Sequence, residues 1–204
     1  HKKKELLAAV VHDLKTDKEE IQRHRMMVKN RIANCNNFLK ILEKDYKEVD
    51  KLDFYRTAIL HAENKDLILN EKARNDAEAK GYFSSEGLSE ISVILNKFNY
   101  HYNDYKEVNL GCLESCKKYI NTIVPDLLES KLVHNSDFIW TNSISNSKEF
   151  EGKLNKPIDK KLANLISFDI WFRKALLTGE LINFDALDQN ADKAIKIIEK
   201  EIKE

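Results

Sequence analysis

Glu20 and His24 stand one helical turn apart, and Asp13 and Asp17 fall on the same side of the same segment. Carboxylates and an imidazole at that spacing could hold a divalent metal and activate its water for hydrolysis. A solvated charged face meets the same spacing, and we adopt that reading. Neither His-Glu-x-x-His nor Glu-x-x-His occurs, and the six histidines are scattered. His101 and Asp104 form a second polar pair, of the kind that ordinarily decorates a helix surface.

Cys112 and Cys116 are separated by three residues, not by the two of redox and zinc motifs. Cysteines one turn apart reach disulfide geometry only with strain, so both are read as small core residues. Cys35 is read as buried and inert. Ser115 and Lys118 spell the Ser-x-x-Lys of acyl-transferring serine enzymes, but the companion motifs of that chemistry are absent. Five glycines build no phosphate loop, nucleophile elbow or dinucleotide turn. Trp140 and Trp171 are assigned to packing between a loop and a helix. No catalytic, cofactor-binding or metal-binding residue is expected, and the chain is read as a non-enzyme without a cofactor.

The 204 residues suffice for one domain, and 33% charged against 42% hydrophobic side chains describes a folded, water-exposed protein. Lys plus Arg and Asp plus Glu balance at 34 each, so no basic excess argues for nucleic acid. No apolar run is long enough to span a bilayer. Two prolines and five glycines favour a few long helices over many strands and turns.

The elements that would position these residues follow from periodicity. Leu7, Leu14, Ile21, Val28, Cys35, Leu42 and Val49 recur every seventh residue, with Val11, Ile32, Leu39 and Tyr46 as a companion row. That seam predicts one helix over about 5–49, roughly 65 Å long at 1.5 Å per residue. Asp17, Lys18, His24 and Arg25 interrupt the companion row, which predicts a bend or a wet contact there. A shorter helix is expected near 54–63. Residues 64–81 read as a short apolar cluster and then an alanine-rich helix stopped by Gly81, with Ser84 or Ser85 capping the next helix.

That next helix, over about 86–124, carries the stripe Ile91, Leu95, Phe98, Tyr102, Tyr105, Asn109, Cys112, Cys116, Tyr119 and Ile123. The ring cluster at 98–105 is therefore read as buried stripe, with Tyr100 and His101 facing elsewhere. Pro125 either starts a new helix or kinks the old one. Residues 134–157 read as a long connection, with Phe138, Ile139 and Trp140 available to dock. Two shorter helices are expected to close the chain. The first, 158–178, turns Leu162, Leu165, Ile166, Ile170 and Leu177 inward and stops at Gly179; the second spans 184–203. The fold class is thus all-α, an elongated helical bundle in a single domain over 1–204.

The stretch "YFSSEGLSEISVILNKFNYHYNDY", behind a long heptad helix and a basic start, resembles a family of uncharacterised proteins common in Bacteroidetes. Ser84, Ser85, Gly87, Leu88, Ile91, Ser92, Leu95, Tyr102 and Tyr105 carry the likeness. Val93 stands where the family has Asn, no Arg follows Leu95, and the tyrosines are more widely spaced. The resemblance implies one transmembrane helix ahead of residue 1, with Lys2, Lys3 and Lys4 as its flank (1–4 also reads as a tag remnant), and a domain on the periplasmic side. By itself the lysine run favours a cytoplasmic flank. The family has no known activity, so no site residue is carried over. The expected role is a membrane-tethered extracytoplasmic domain for sensing or protein interaction. The alternatives are a small metal-dependent hydrolase built on Glu20, His24 or His101, and a soluble assembly protein that self-associates through the first long helix.

Overall fold

A computed structural model describes residues 1–84, 86–127 and 151–203. The described residues form six α-helices and no strand: α1 Lys2–Leu42, α2 Lys51–His61, α3 Lys72–Ala79, α4 Ser89–Thr122, α5 Val124–Leu127 and α6 Lys160–Lys203. The fold is an all-α bundle in which α1, α4 and α6 are the long members. They are divided between two compact units, residues 1–28, 66–108 and 179–204 in one, and 29–65 and 109–178 in the other.

In the first unit Leu7, Leu14, Ile21 and Val28 of α1 are buried, as are Ile91, Leu95, Phe98, Tyr102 and Tyr105 of α4 and Phe184, Leu187, Ala191 and Ile198 of α6. At about 1.5–3 kcal/mol for each large apolar side chain, these stripes carry the helices, whose intrinsic propensity is far weaker. On the rim, Lys18 bonds Asp192, Gln22 bonds Asp188 and Arg25 bonds Asp185. The partners step down one helix as they step up the other, so α1 and α6 run antiparallel. Exposed pairs like these contribute little energy and serve mainly to mark the register.

The predicted wet break in α1 is a correction. Asp17 is fully buried. Its Oδ1 accepts the Asn70 backbone and side-chain N–H groups, both at 2.8 Å, and its Oδ2 accepts Arg74 Nη1 at 2.7 Å. The Arg74 guanidinium lies 4.8 Å over the Phe98 ring. A buried charge persists only when paired and hydrogen-bonded, and both conditions hold here. Of the companion row Val11 is buried as expected, but Ile32, Leu39 and Tyr46 are only half-buried, and Val10 and Phe38, one residue earlier in the row, are buried.

Residues 63–71 have no regular secondary structure, yet Leu67 and Leu69 are buried while Ile68 is 78% exposed. That period of two is extended chain. Among the described residues no strand neighbours it, and the peptide groups of Leu67 and Leu69 bond to side chains instead. Leu67 N–H donates to Tyr105 Oη at 2.8 Å, Leu69 N–H to Tyr102 Oη at 3.2 Å, and Tyr102 donates in turn to the Leu67 carbonyl.

Other boundaries moved for local reasons. Helix α1 stops at Leu42 because Asp45 folds back on the Lys47 N–H and competes with helical bonding; Val49 still reaches the core from the turn beyond. Gly81, at φ +67°, ends the α3 region, as expected. Helix α4 starts at Ser89 after two 3-10 turns, 82–84 and 86–88, and Ser85 lies outside the described residues. Pro125 is the second residue of the short helix α5, so it opens a new helix instead of kinking α4. The C-terminal pair is one 44-residue helix that runs through Gly179. An interior glycine costs only about 1 kcal/mol relative to alanine, less than one buried Leu or Phe returns on either side of it. Asp159 caps α6, accepting the Lys161 and Leu162 N–H groups. Leu165, expected inward, is 50% exposed. The connection is described only from Glu151 onward, where Lys153 bridges Asp50; Phe138, Ile139 and Trp140 lie outside the described residues.

Leu14→Ala or Leu95→Ala should lower stability by about 2–5 kcal/mol in urea denaturation. Tyr105→Phe, which keeps the ring and orphans the buried Leu67 N–H, should lower it by about 1–3 kcal/mol. Unchanged midpoints in all three would contradict these core assignments.

Candidate functional site

The expected candidates do not assemble. His24 directs its ring nitrogens at backbone carbonyls, Nδ1 at Glu20 (3.2 Å) and Nε2 at Asp66 (2.8 Å). The Glu20 carboxylate takes Arg23, and Asp17 takes Arg74. His101 and Asp104 are joined by Asn183, which accepts at Oδ1 near His101 Nδ1 (3.3 Å) and donates to Asp104 Oδ2 (2.7 Å). Among the described residues no group of three His, Cys, Asp or Glu could hold a metal. Ser115 is buried while Lys118 is exposed, so the Ser-x-x-Lys pair is split between core and surface. Cys35, Cys112 and Cys116 are buried thiols.

A different constellation appears in the second unit. His61, at the end of α2, sets Nε2 2.8 Å from Asp169 Oδ2 on α6. Ser115 on α4 donates to the other carboxylate oxygen at 2.8 Å. The Cys35 sulfur on α1 lies 3.6 Å from His61 Nδ1. One tautomer satisfies every member: the thiol S–H donates to Nδ1, and Nε2–H donates to the carboxylate. Tyr119 stands edge-on to the imidazole at 4.9 Å between centroids, and Phe38 at 5.8 Å. Arg173, one turn beyond Asp169, is buried and donates from Nη2 to the Glu63 carbonyl at 3.0 Å.

Thiol, imidazole and carboxylate in series have the wiring of a cysteine nucleophile with its base and orienting group. The electrostatics oppose that use. Burial holds the Cys35 thiol above its ordinary value, outweighing the Arg173 charge that would lower it. Burial likewise depresses His61, against the opposing bond to Asp169. Both shifts favour the neutral pair, not the thiolate–imidazolium pair that attacks. Burial also pushes the Tyr119 phenol up, so it stays protonated. Cys35 and His61 are each 2% exposed, and neither lines the groove formed by 159–165 or the one formed by parts of 41–49 and 154–163. The cluster closes a polar core in which each of its four members finds a partner.

Nothing in the residue spacing announced it. Cys35, His61, Ser115 and Asp169 come from four helices, and the available signal was a polar residue on an otherwise apolar face: Ser115 beside Cys116, and Asp169 beside Ile170. No protein-family model, curated protein or solved structure matches the chain.

The depressed His61 fixes the sign of a pH effect. An unfolded histidine binds its proton near the ordinary value of 6.5, whereas folded His61 does so only at lower pH. Its contribution is therefore fully present above pH 6.5 and is lost as pH falls from there toward the folded value. Thermal midpoints of the wild type should decline over that window, and His61→Gln should show a shallower decline. Superimposable pH profiles would contradict a neutral buried imidazole.

Proposed function

We propose that this chain is a non-catalytic helical domain, tethered at a membrane on the extracytoplasmic side, that works by sensing or by binding a partner at its surface. The observation that carries the binding role is the placing of polar and apolar side chains on α6. Its inward face holds Asp169 and Arg173, while Leu165, Phe168, Trp171 and Phe172 are exposed at 50%, 66%, 64% and 42%. Large exposed apolar patches mark interaction surfaces. The tether rests on the likeness at Ser84–Tyr105 and on Lys2, Lys3 and Lys4. Among the described residues no helix is long and apolar enough to cross a membrane; the proposed span is the one the likeness implies ahead of residue 1.

Two measurements test the two halves of this reading. An apolar span of about 20 residues should be encoded upstream of Lys2, and protease added to spheroplasts should reach the domain. A reading frame opening near Lys2 would defeat the tether. In the folded protein no cysteine should react quickly with Ellman's reagent at neutral pH, and all three should react after unfolding. Fast labelling of Cys35 in the native state would restore an enzymatic reading.

A further inference from the structure

The exposed stripe of α6 has a second property, in its charges. Lys153, Lys156, Lys160 and Lys161 are exposed and Lys174 half-buried, whereas between Lys153 and Thr178 the only exposed carboxylate is Asp159, already engaged as a helix cap. Asp169, the other acid of that stretch, is buried. In a chain with 34 positive and 34 negative side chains this is a local cationic concentration. It flanks the stretch that exposes Leu165, Phe168, Trp171 and Phe172, which fall on one helix face at intervals of three and four.

We propose that this face docks on an anionic bilayer surface, the four apolar side chains entering the boundary between headgroups and acyl chains and the lysines reaching lipid phosphates. The proposal deepens the membrane-proximal reading above and names the surface that is bound. Aromatic side chains with neighbouring lysines are the chemistry of interfacial helices. The area argues in the same direction. At about 150–250 Å² per aromatic side chain, the exposed fractions amount to roughly 450 Å², about half of the 800 Å² per partner in a stable protein interface. A bilayer sets no such minimum, because it takes up each side chain separately. The lysines would repel a second copy of the same face and attract acidic lipids.

The test uses the 204-residue chain carrying Trp140→Phe, so that Trp171 is the only fluorophore of its kind. It is mixed with phosphatidylcholine vesicles, with and without phosphatidylglycerol. The expected result is co-sedimentation and a blue-shifted Trp171 emission with the anionic vesicles, and about tenfold weaker binding to phosphatidylcholine alone. Adding Phe168→Ser with Phe172→Ser should abolish the binding without moving the melting temperature, and Lys160→Glu with Lys161→Glu should remove the anionic preference. No co-sedimentation, or binding that survives the serine pair, overturns the proposal. So does a concentration-dependent dimer in light scattering that the serine pair dissolves, which would assign the face to a second copy. Vesicle binding by this face is read without reference to any tether, so failure here leaves the spheroplast and reading-frame results to stand separately.

Discussion

Nine residues without regular structure, 63–71, impose the strictest requirement on this protein. Leu67 and Leu69 are buried within this segment, so their peptide groups are cut off from water, and no strand among the described residues lies alongside. A buried N–H or C=O left unpaired costs about 1–3 kcal/mol, so the helices must supply donors and acceptors from side chains. In the first unit Tyr102, Tyr105, His24 and Asp17 do so. In the second, Arg31 bonds the Asn64 side chain, Asn64 bonds Asn109, and Arg173 bonds the Glu63 carbonyl. Polar residues that look like faults in apolar stripes are the sockets for this segment.

That requirement explains why Asp17 can be a fully buried charge. Desolvating a carboxylate is tolerated only where donors replace the lost water, and Asn70 and Arg74 provide three. His24, one heptad further on, fills the same row for the same reason, giving its Nε2–H to the Asp66 carbonyl. Between Asp17 and His24 the helix rises about 10 Å, and four residues of nearly extended chain cover a similar length. The polar spacing along α1 is therefore set by the stride of the segment it holds.

The all-α class, the buried heptad from Leu7 to Cys35 and the whole stripe from Ile91 to Ile123 were legible because each follows from period alone. Lost from view was whatever depends on a partner far away in the chain. The alternation Leu67-Ile68-Leu69 spans three residues, too short to stand out beside long helices. Gly179 resembled a stop because local propensity is visible in sequence, whereas the packing that outweighs it is not. The His61–Asp169 contact joins residues 108 apart, and no spacing rule reaches that far. On α6, Ile166, Ile170 and Leu177 are buried as their period implies, but Leu165 is exposed while Asp169 and Arg173 share the inward face, which period alone does not reveal.

The exposure of Leu165 beside buried Asp169 points to how α6 is built. Its buried face is mostly apolar, from Ile166 to Ile198, but Asp169, Arg173 and Glu180 lie inside and Phe168, Trp171 and Ile182 outside, a local reversal of the usual assignment of side chains to core and water. The inner half of the reversal has a structural cause. Asp169 holds Ser115 and His61, and Arg173 holds Glu63, so these groups tie four elements together. Among the described residues no hydrogen bond, ion pair or ring contact involves the side chain of Phe168 or Trp171. Ser or Lys at 168 or 171 would leave every hydrogen bond described here intact and would remove apolar surface from water. Side chains that stability does not demand, and that exposure disfavours, are where a sequence departs from local consistency on behalf of something outside the fold. The proposed binding role therefore rests on the exposed surface of α6, whereas Cys35 and His61 of the thiol–imidazole–carboxylate chain are sealed from solvent.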